Sequence, residues 1–298
     1  MRVLIVGAGL YGGLMGTSLI EADCDVSFLV RPARQHQLVS RGLYLSSPFG
    51  RYSKAEHAIT ALAEGQPYDV VVIAARATHF QLSLLTAENA IGPNTIIVSA
   101  FDGAHQLHYW NESFPDHLVA LVAFDIRATF DADGCIHQHG PRGDLRLGCN
   151  ASTSNGQLKP LVAALNGRRF TARLAPDSIF ARVWARHCFA SAAIATARLD
   201  KMTLRDSLRF GRRDLFRQIL KETLVVGEAH DVKGLGFFVE RYRTGFQRES
   251  LPIQIPAPIS TGGRVGAEAS ALLGSMLALA EHRKVRTPGL LKAWCSEP

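Results

Sequence analysis

The sequence predicts an α/β protein in which a mostly parallel sheet builds the first half and helices build the second. Short apolar runs alternate with helical patterns over the first part of the chain, which is typical of parallel sheets covered by helices. Long helical periodicities follow in the second part. The chain has 298 residues, of which 47% are hydrophobic and 20% charged, enough for two domains with apolar cores.

The first predicted strand and helix flank a glycine-rich turn. Residues 2–9, RVLIVGAG, form a continuous β-branched and apolar run, the pattern of a strand buried on both faces. The following LYGGLMGTSLIEA has a helical pattern, and DVSFLV at 25–30 supplies the next strand. The glycine-rich turn therefore lies inside a predicted β-α-β unit.

Gly7, Gly9 and Gly12 give this turn the spacing G-x-G-x-x-G. The first glycine permits the tight turn, the second lets a pyrophosphate approach the backbone, and the third permits close packing of the helix on the strand. Phosphates then bind at the helix N-terminus, where N–H groups and the helix dipole favour anions. The motif predicts a Rossmann-type dinucleotide-binding domain with Leu10 and Tyr11 beside the cofactor. The alternative is a glycine turn with a structural role only.

The end of the second strand indicates which dinucleotide binds. An NAD site usually carries Asp or Glu there, to accept a hydrogen bond from the ribose 2′-hydroxyl. This chain has Arg31 and Arg34 instead, while Asp25 comes at the start of the strand. A guanidinium suits a 2′-phosphate, so we predict NADP(H). The alternative is that both arginines are solvated loop charges.

Two further apolar runs end in charged residues. YDVVVIAAR at 68–76 ends at Arg76, and NTIIVSAFDG at 94–103 ends at Asp102 and Gly103. Ligands of open α/β sheets bind outside the carboxyl ends of the strands. The topology therefore predicts that Arg76 and Asp102 lie near the nicotinamide and contact both cofactor and substrate.

The predicted sheet continues through 117–130 and 134–148, which have the pattern of two strands with turns. His137 and His139 are spaced to share one face, but their surroundings lack ligand spacing, so we predict ordinary strand histidines and no metal site. A Ser-, Asn- and Gly-rich break at 151–160 is the candidate linker, and one short α/β unit follows it.

Helices dominate the rest of the chain. Asp177 is the predicted N-cap of a helix that runs to about Leu199. A second helix is predicted over about 208–230 and a third over about 265–283. We therefore predict two domains: an NADP(H)-binding Rossmann-like domain at 1–170 and a helical domain at 171–298, which would contribute to substrate binding and pair two copies as a homodimer.

The composition restricts the partners. The formal net charge is +7, which fits a small anionic substrate, but no Lys/Arg run is interleaved with aromatic residues, so nucleic acid is not expected. Five cysteines without a Cys-x-x-Cys spacing argue against a disulfide framework and suit the reducing cytoplasm. The sequence contains no uncharged apolar run of about eighteen residues, so no membrane partner is expected.

Over nearly its whole length the chain resembles the ketopantoate reductase (2-dehydropantoate 2-reductase) family. The resemblance rests on VGAGLYGG, the basic LVR at the end of the second strand, and the glycine-spaced hairpin DGCIHQHGPRGDLRLG. PDSIFARVWAR is similar to the family's Asp-x-Ile-x-x-x-x-Trp-x-Lys helix, and EASALLG to its Glu-x-Asp-x-x-x-Gly segment. The resemblance implies hydride transfer from NADPH to the carbonyl carbon of a 2-oxo acid, with a lysine donating to the carbonyl oxygen.

Several residues depart from the family's pattern. The family's lysine aligns with Arg186, and the asparagines four and eight residues later align with Ala190 and Ile194. Arg76 stands where the family has a lysine, and Asp102 where it has the Asn of an Asn-Gly turn. These changes imply a substrate other than ketopantoate itself.

Arg186 and Glu268, the retained glutamate, are therefore the predicted catalytic residues, and the adjacent His187 is predicted to contact the substrate. An arginine stays charged above pH 12, so it can polarise and orient a carboxylate but is a poor acid. We expect Arg186 to meet an anion, either the substrate carboxylate or Glu268. The alternative is that it reaches solvent or pairs structurally.

The sequence thus predicts an NADP-dependent oxidoreductase that reduces the C=O group of a carboxylate-bearing, 2-oxo acid-like substrate. One alternative is an imine (C=N) or opine-type reductase, because a protonated iminium needs less help from an acid. The other is a catalytically inactive NADP(H)-binding sensor or regulatory protein that has kept the cofactor fold.

Overall fold

A computed structural model of the chain shows two compact units. The first comprises Met1–Phe101 and Trp110–Ile179, and the second comprises Asp102–Tyr109 and Phe180–Pro298. The structure describes residues 1–54, 58–59, 67–75, 87–100, 103–104, 110, 113–131, 133–149, 156–175, 178–200, 213–247 and 264–296. Within these ranges, only the backbone is described at 54, 58–59, 200, 242–247 and 264–268.

A mixed, mostly parallel sheet forms the centre of the first unit. Its described strands are β1 (Arg2–Val6), β2 (Asp25–Leu29), β3 (Leu43–Ser47), β4 (Gly50–Lys54), β5 (Ala58–Ile59), β6 (Val70–Ile73), β7 (Ile96–Ser99), β8 (Val119–Phe130), β9 (Ile136–Cys149) and β10 (Phe170–Leu174). They are ordered β4-β3-β9-β8-β7-β6-β1-β2-β5, and β10 pairs with β9. Only the described pairs β3–β4 and β8–β9 are antiparallel.

The predicted β-α-β unit is confirmed. Strand β1 pairs with β2 on one side and β6 on the other, and its residues 3–6 are buried. Burial on both faces explains why the strand is a continuous apolar run. The α-helices described in the first compact unit are α1 (Leu10–Glu21), α2 (Pro32–Arg41) and α3 (Lys159–Leu165). Helix α1 packs Leu14, Met15 and Leu19 into the same core as β1.

The two predicted strands after residue 117 are confirmed as β8 and β9. On β9, His137 lies 3.0 Å from an Asp131 carboxylate oxygen, and His139 lies 3.1 Å from the Thr129 hydroxyl. The hydrogen bond from His137 lowers the pKa of Asp131.

The first unit continues to Ile179, so the candidate linker at 151–160 lies within it and does not join the two units.

The second unit is built from helices in the described residues. They are α4 (Ile179–Asp200), α5 (Arg213–Ala229), α6 (Leu235–Gln247), α7 (Arg264–His282) and α8 (Pro288–Cys295). The three predicted helices correspond to α4, α5 and α7, whereas α6 and α8 were not predicted. The predicted N-cap Asp177 lies outside the described residues. None of the described helices is both long and apolar enough to cross a bilayer.

Candidate active site

The glycine-rich turn has the backbone geometry that the sequence predicts. Gly7 has φ +100°, a region that L side chains rarely adopt, and a Cβ added there would lie 2.9 Å from the carbonyl oxygen of Ala74. A Cβ added to Gly12 would lie 1.9 Å from the carbonyl oxygen of Gly7. The tight turn and the close packing of helix α1 on the turn therefore both require glycine.

Gly9 differs from the other two glycines because space is open beside it. It is the N-cap of α1, its backbone is extended, and a Cβ built there meets no described atom within 4 Å. The first turn of α1 carries no acidic residue. The first N–H groups of any α-helix lack intrahelical acceptors and attract anions. The open space at Gly9 and this helix end together fit a pyrophosphate.

The aromatic ring of Tyr11 is held beside this helix end. It stacks on Phe124 of β8, with ring centroids 4.3 Å apart and an interplanar angle of 17°. The preceding Leu10 packs against the core of the first unit. Both side chains that the motif predicted beside the cofactor therefore pack on the core of the first unit. Their contact with a cofactor stays a prediction.

Arg31 and Arg34 follow β2, but they have different environments. Arg31 is the exposed N-cap of α2. Arg34 is partly buried: its Nε donates to the carbonyl of Ala8 (3.1 Å), and its Nη2 donates to the carbonyl of Gly134 (3.1 Å). Burial lowers the pKa of the Arg34 guanidinium. Because Ala8 lies between the first two glycines of the motif, Arg34 holds the glycine-rich turn in place.

The remaining donors of Arg34 strengthen this anchoring. Its Nη1 donates to the side-chain oxygen of Gln37 (3.1 Å), and its Cζ lies 5.3 Å from the ring centroid of Phe130. Three of the five N–H groups of the guanidinium are therefore used inside the protein. The sequence contained no indication of this role, because Gly134 is 100 residues away from Arg34 in the chain.

Arg76 and Asp102 lie outside the described residues, so their predicted contacts stay predictions. The strands that precede them, β6 and β7, are parallel neighbours, and β6 also pairs in parallel with β1. Their carboxyl ends therefore lie along the same edge as the glycine-rich turn. Beyond β7, Gly103 is buried and has φ +140°.

Arg186 lies in the second unit, on α4, and is only 5% exposed. Ala190 and Ile194, which stand four and eight residues later, are buried on the same face of the helix. Ile194 packs with Ala269 and Leu272 of α7. A buried guanidinium requires an anion or several acceptors, because the charge is otherwise too costly to desolvate.

A second buried arginine, Arg198, lies twelve residues later on the same helix and was not identified from the sequence. It is 6% exposed, and its Nη2 donates to the hydroxyl of Ser270 on α7. Because an α-helix turns by about 100° per residue, Arg198 lies about 120° around the helix from Arg186. The signal for it in the sequence is an arginine within the apolar run ASAAIATARL. Glu268 lies on α7 two residues before Ser270, but its side chain is not described. The predicted pairing of Glu268 with Arg186 therefore stays a prediction.

His187, a residue of α4, is completely buried, and its ring contacts α7 and the segment at 103–104. Its Nδ1 lies 3.0 Å from the backbone nitrogen of Ala104, and its Nε2 lies 3.1 Å from both the carbonyl of Leu272 and the hydroxyl of Ser275. Both ring nitrogens thus contact the protein itself. The predicted contact of His187 with the substrate stays a prediction.

Cys188 is not a nucleophile in this site. Burial raises the pKa of its thiol to about 12. The sulfur also lies 3.3 Å from the carbonyl of Thr223, to which the thiol donates. A reactive cysteine needs an accessible thiolate near neutral pH. Cys188 therefore acts as a packing residue of α4.

Comparison with known proteins extends the family resemblance. Residues 3–152, half of the chain, match the family described as Ketopantoate reductase PanE/ApbA. The uncharacterized oxidoreductase YkpB of Bacillus subtilis (strain 168) is 33% identical over 137 residues, which cover 46% of this chain and 45% of YkpB. The match to that relative therefore spans less than half of its length.

Solved structures share the fold over nearly the whole chain. The 2-dehydropantoate 2-reductase from Methylococcus capsulatus has a TM-score of 0.79 at 19% identity and covers 99% of this chain and 95% of its own. That from Geobacter metallireducens GS-15 has a TM-score of 0.82 at 18% identity, with 99% and 98% covered. A D-mandelate dehydrogenase with NADH and anilino(oxo)acetate has a TM-score of 0.82 at 14% identity, with 99% and 96% covered.

At these identities the structural likeness establishes the fold: a Rossmann-type unit followed by a helical one. The match over residues 3–152 includes the glycine-rich turn and the β8–β9 hairpin whose geometry is described above. The chain belongs to the ketopantoate reductase PanE/ApbA family.

Proposed function

We propose that the protein is an NADPH-dependent reductase of a 2-oxo acid other than ketopantoate. The observation that carries the proposal is the buried guanidinium of Arg186 at the position of the family's lysine. A planar cation on an apolar helix face suits bidentate binding of a carboxylate. Homodimerisation and a cytoplasmic location form part of the same proposal.

The residues of the first unit fit the cofactor. The space beside Gly9 and the N-terminus of α1 would hold the pyrophosphate, and the exposed Arg31 would bind the 2′-phosphate. NADPH supplies the hydride when it is bound. Arg34, which is hydrogen bonded to Ala8, would keep the turn in the binding conformation. Arg76 and Asp102 are proposed to contact both cofactor and substrate.

The residues around Arg186 favour a substrate with an apolar group next to its 2-oxo acid. Ala190 and Ile194 stand where the family has asparagines, and both are buried. Without the two amides, a hydroxyl group on the substrate would be buried without a hydrogen-bond partner. Because burying an unpaired polar group is costly, the site should disfavour hydroxylated substrates. The D-mandelate dehydrogenase of similar fold, solved with anilino(oxo)acetate, makes aromatic 2-oxo acids a reasonable first choice.

The experiment that tests the proposal measures NADPH oxidation over a panel of 2-oxo acids, including ketopantoate and phenyl- and alkyl-substituted compounds, with and without ammonia or amines. We expect turnover without amines, and a higher kcat/KM for apolar 2-oxo acids than for ketopantoate. Turnover only when an amine is present would instead identify a C=N reductase, which the poor acidity of Arg186 favours as the second candidate. Tight NADPH binding without any turnover would identify a sensor.

Cofactor preference gives a prediction that separates the two arginines. Arg31→Ala should weaken NADPH binding by about tenfold to a hundredfold and leave NADH binding nearly unchanged, because a charge-assisted contact to the 2′-phosphate is worth about 1.5–3 kcal/mol. Arg34→Ala should weaken both cofactors by similar factors, because it loosens the turn that binds the pyrophosphate common to both. Fluorescence titration of each variant with each cofactor measures the four ratios. Equal affinity of the wild type for NADPH and NADH would refute the assignment of Arg31.

A further inference from the structure

His187 connects three separate parts of the second unit. It lies on α4 directly after Arg186, and its ring contacts Ala104, which follows β7 in the chain, and Leu272, which lies on α7 one turn after Glu268. Ala104 and Leu272 are 83 and 85 residues away from His187 in the chain. Ala104, like His187, is excluded from solvent, with 1% of its surface exposed.

The contacts determine which nitrogen of the ring carries the proton. A backbone N–H can only donate, so Nδ1 of His187 must accept from Ala104 and is unprotonated. The proton of the neutral ring is then on Nε2, which donates to the carbonyl of Leu272. The Ser275 hydroxyl donates to the same carbonyl at 2.8 Å, so its oxygen faces Nε2 as an acceptor. The ring, the amide and the carbonyl form a fully satisfied buried network.

An apolar side chain of the same volume could not replace this network. It would leave the N–H of Ala104 buried without an acceptor, which costs free energy. Local opening of the segment at 103–104 would expose this N–H to water and so recover that free energy. Removing the acceptor should therefore release the segment at 103–104 from α4. Asp102, predicted to contact cofactor and substrate, immediately precedes that segment.

We propose that His187 is a positioning residue: it holds the segment that follows β7 at a fixed distance from Arg186, and so aligns the substrate-binding groups. This proposal rests on the proposed function for its kinetic consequence, but the hydrogen bond to Ala104 can be tested without any substrate. His187 acts through the backbone and does not contact the substrate.

Two substitutions separate the two ends of the ring. His187→Asn keeps an oxygen close to the position of Nδ1 and can still accept from Ala104, but it is too short to reach Leu272. His187→Gln can place its amide near Nε2 and donate to Leu272, but it leaves the amide of Ala104 without an acceptor. Thr196→Val is the matched control, because Thr196 is a buried polar residue of α4 whose hydroxyl donates only to Ala192 of its own helix at 2.8 Å.

Hydrogen exchange at the Ala104 amide, measured by NMR on the full chain, is the first readout. We expect exchange to be about tenfold faster or more in His187→Gln, and close to the wild-type rate in His187→Asn and Thr196→Val. An unchanged rate in His187→Gln would overturn the proposal, whether or not the protein turns over a 2-oxo acid.

The kinetic constants are the second readout. We expect kcat/KM for the best 2-oxo acid to fall about tenfold in His187→Gln and to stay within about threefold in His187→Asn and Thr196→Val, with NADPH affinity preserved in all three. A structural role alone predicts instead that the two His187 variants lose activity in proportion to their loss of thermal stability. Faster exchange at Ala104 without a change in kcat/KM would also exclude a positioning role.

Discussion

Arg186→Ala is expected to lower kcat/KM for the best 2-oxo acid by about a hundredfold or more, which corresponds to about 3 kcal/mol of transition-state stabilisation. NADPH affinity should change by no more than about twofold, since the proposed phosphate-binding groups all lie in the first unit. The large fall in kcat/KM is expected because the Arg186 guanidinium is buried, with 5% of the residue exposed. A charged hydrogen bond in a site that excludes water is worth more than one at the surface. Steady-state kinetics and cofactor titration measure the two effects.

Arg198→Ala is the matched control for this substitution. Arg198 is on the same helix and is similarly buried, at 6% exposed, and it donates to Ser270. Both substitutions remove a buried guanidinium and should lower the thermal midpoint, but only Arg186→Ala should lower kcat/KM by about a hundredfold or more. If Arg186→Ala lowers stability as Arg198→Ala does and turnover survives, Arg186 is structural and the proposed carboxylate site is wrong.

Arg186→Lys distinguishes binding of the carboxylate from transfer of a proton. Lysine keeps the charge but loses the two parallel N–H groups, so KM should rise. Lysine can also act as an acid, so kcat should be preserved or increase if the protein reduces a ketone by the family's route.

Glu268→Gln, combined with Arg186→Ala in a double-mutant cycle, measures whether the glutamate is the partner of Arg186. Additive effects would show that it is not.

Gly9→Asp is expected to abolish NADPH binding while the protein remains folded. No described atom lies within 4 Å of a Cβ at Gly9, and its φ of −87° is accessible to any residue. An aspartate there would place a negative charge in the proposed pyrophosphate site. Gly9→Ala should have a smaller effect, because it adds bulk without charge. Circular dichroism and cofactor titration provide the measurements.

Two other glycines serve as controls for this prediction. Gly167→Asp makes the same change in the first unit, at a glycine whose Cβ would also meet no described atom within 4 Å, and it should leave NADPH affinity unchanged. Gly12→Ala should destabilise the fold itself, because its Cβ would lie 1.9 Å from the carbonyl oxygen of Gly7. Full NADPH affinity in a folded Gly9→Asp variant would mean that the phosphates bind elsewhere.

Much of the fold was predictable because its signals are local. The apolar run of β1, the glycine spacing and the run of β2 all lie within 30 residues, and each reflects burial or backbone conformation at its own position. Helix α2 was missed because it is mostly polar and Leu38 is its only buried residue. The antiparallel pair β3–β4 likewise lacks a long apolar run.

The sequence by itself determined the family, the glycine-rich turn and the alignment of Arg186 with the family's lysine, since each depends on a short motif or a single aligned residue. Only the tertiary structure decided what neighbouring polar residues do. Arg34 connects Ala8 of the glycine turn to Gly134, and the ring of His187 contacts Ala104 and Leu272. The physical reason is that a hydrogen bond depends on distance in space. The acceptors and donors here are about 80 to 100 residues away in the chain, at backbone groups that every residue type provides.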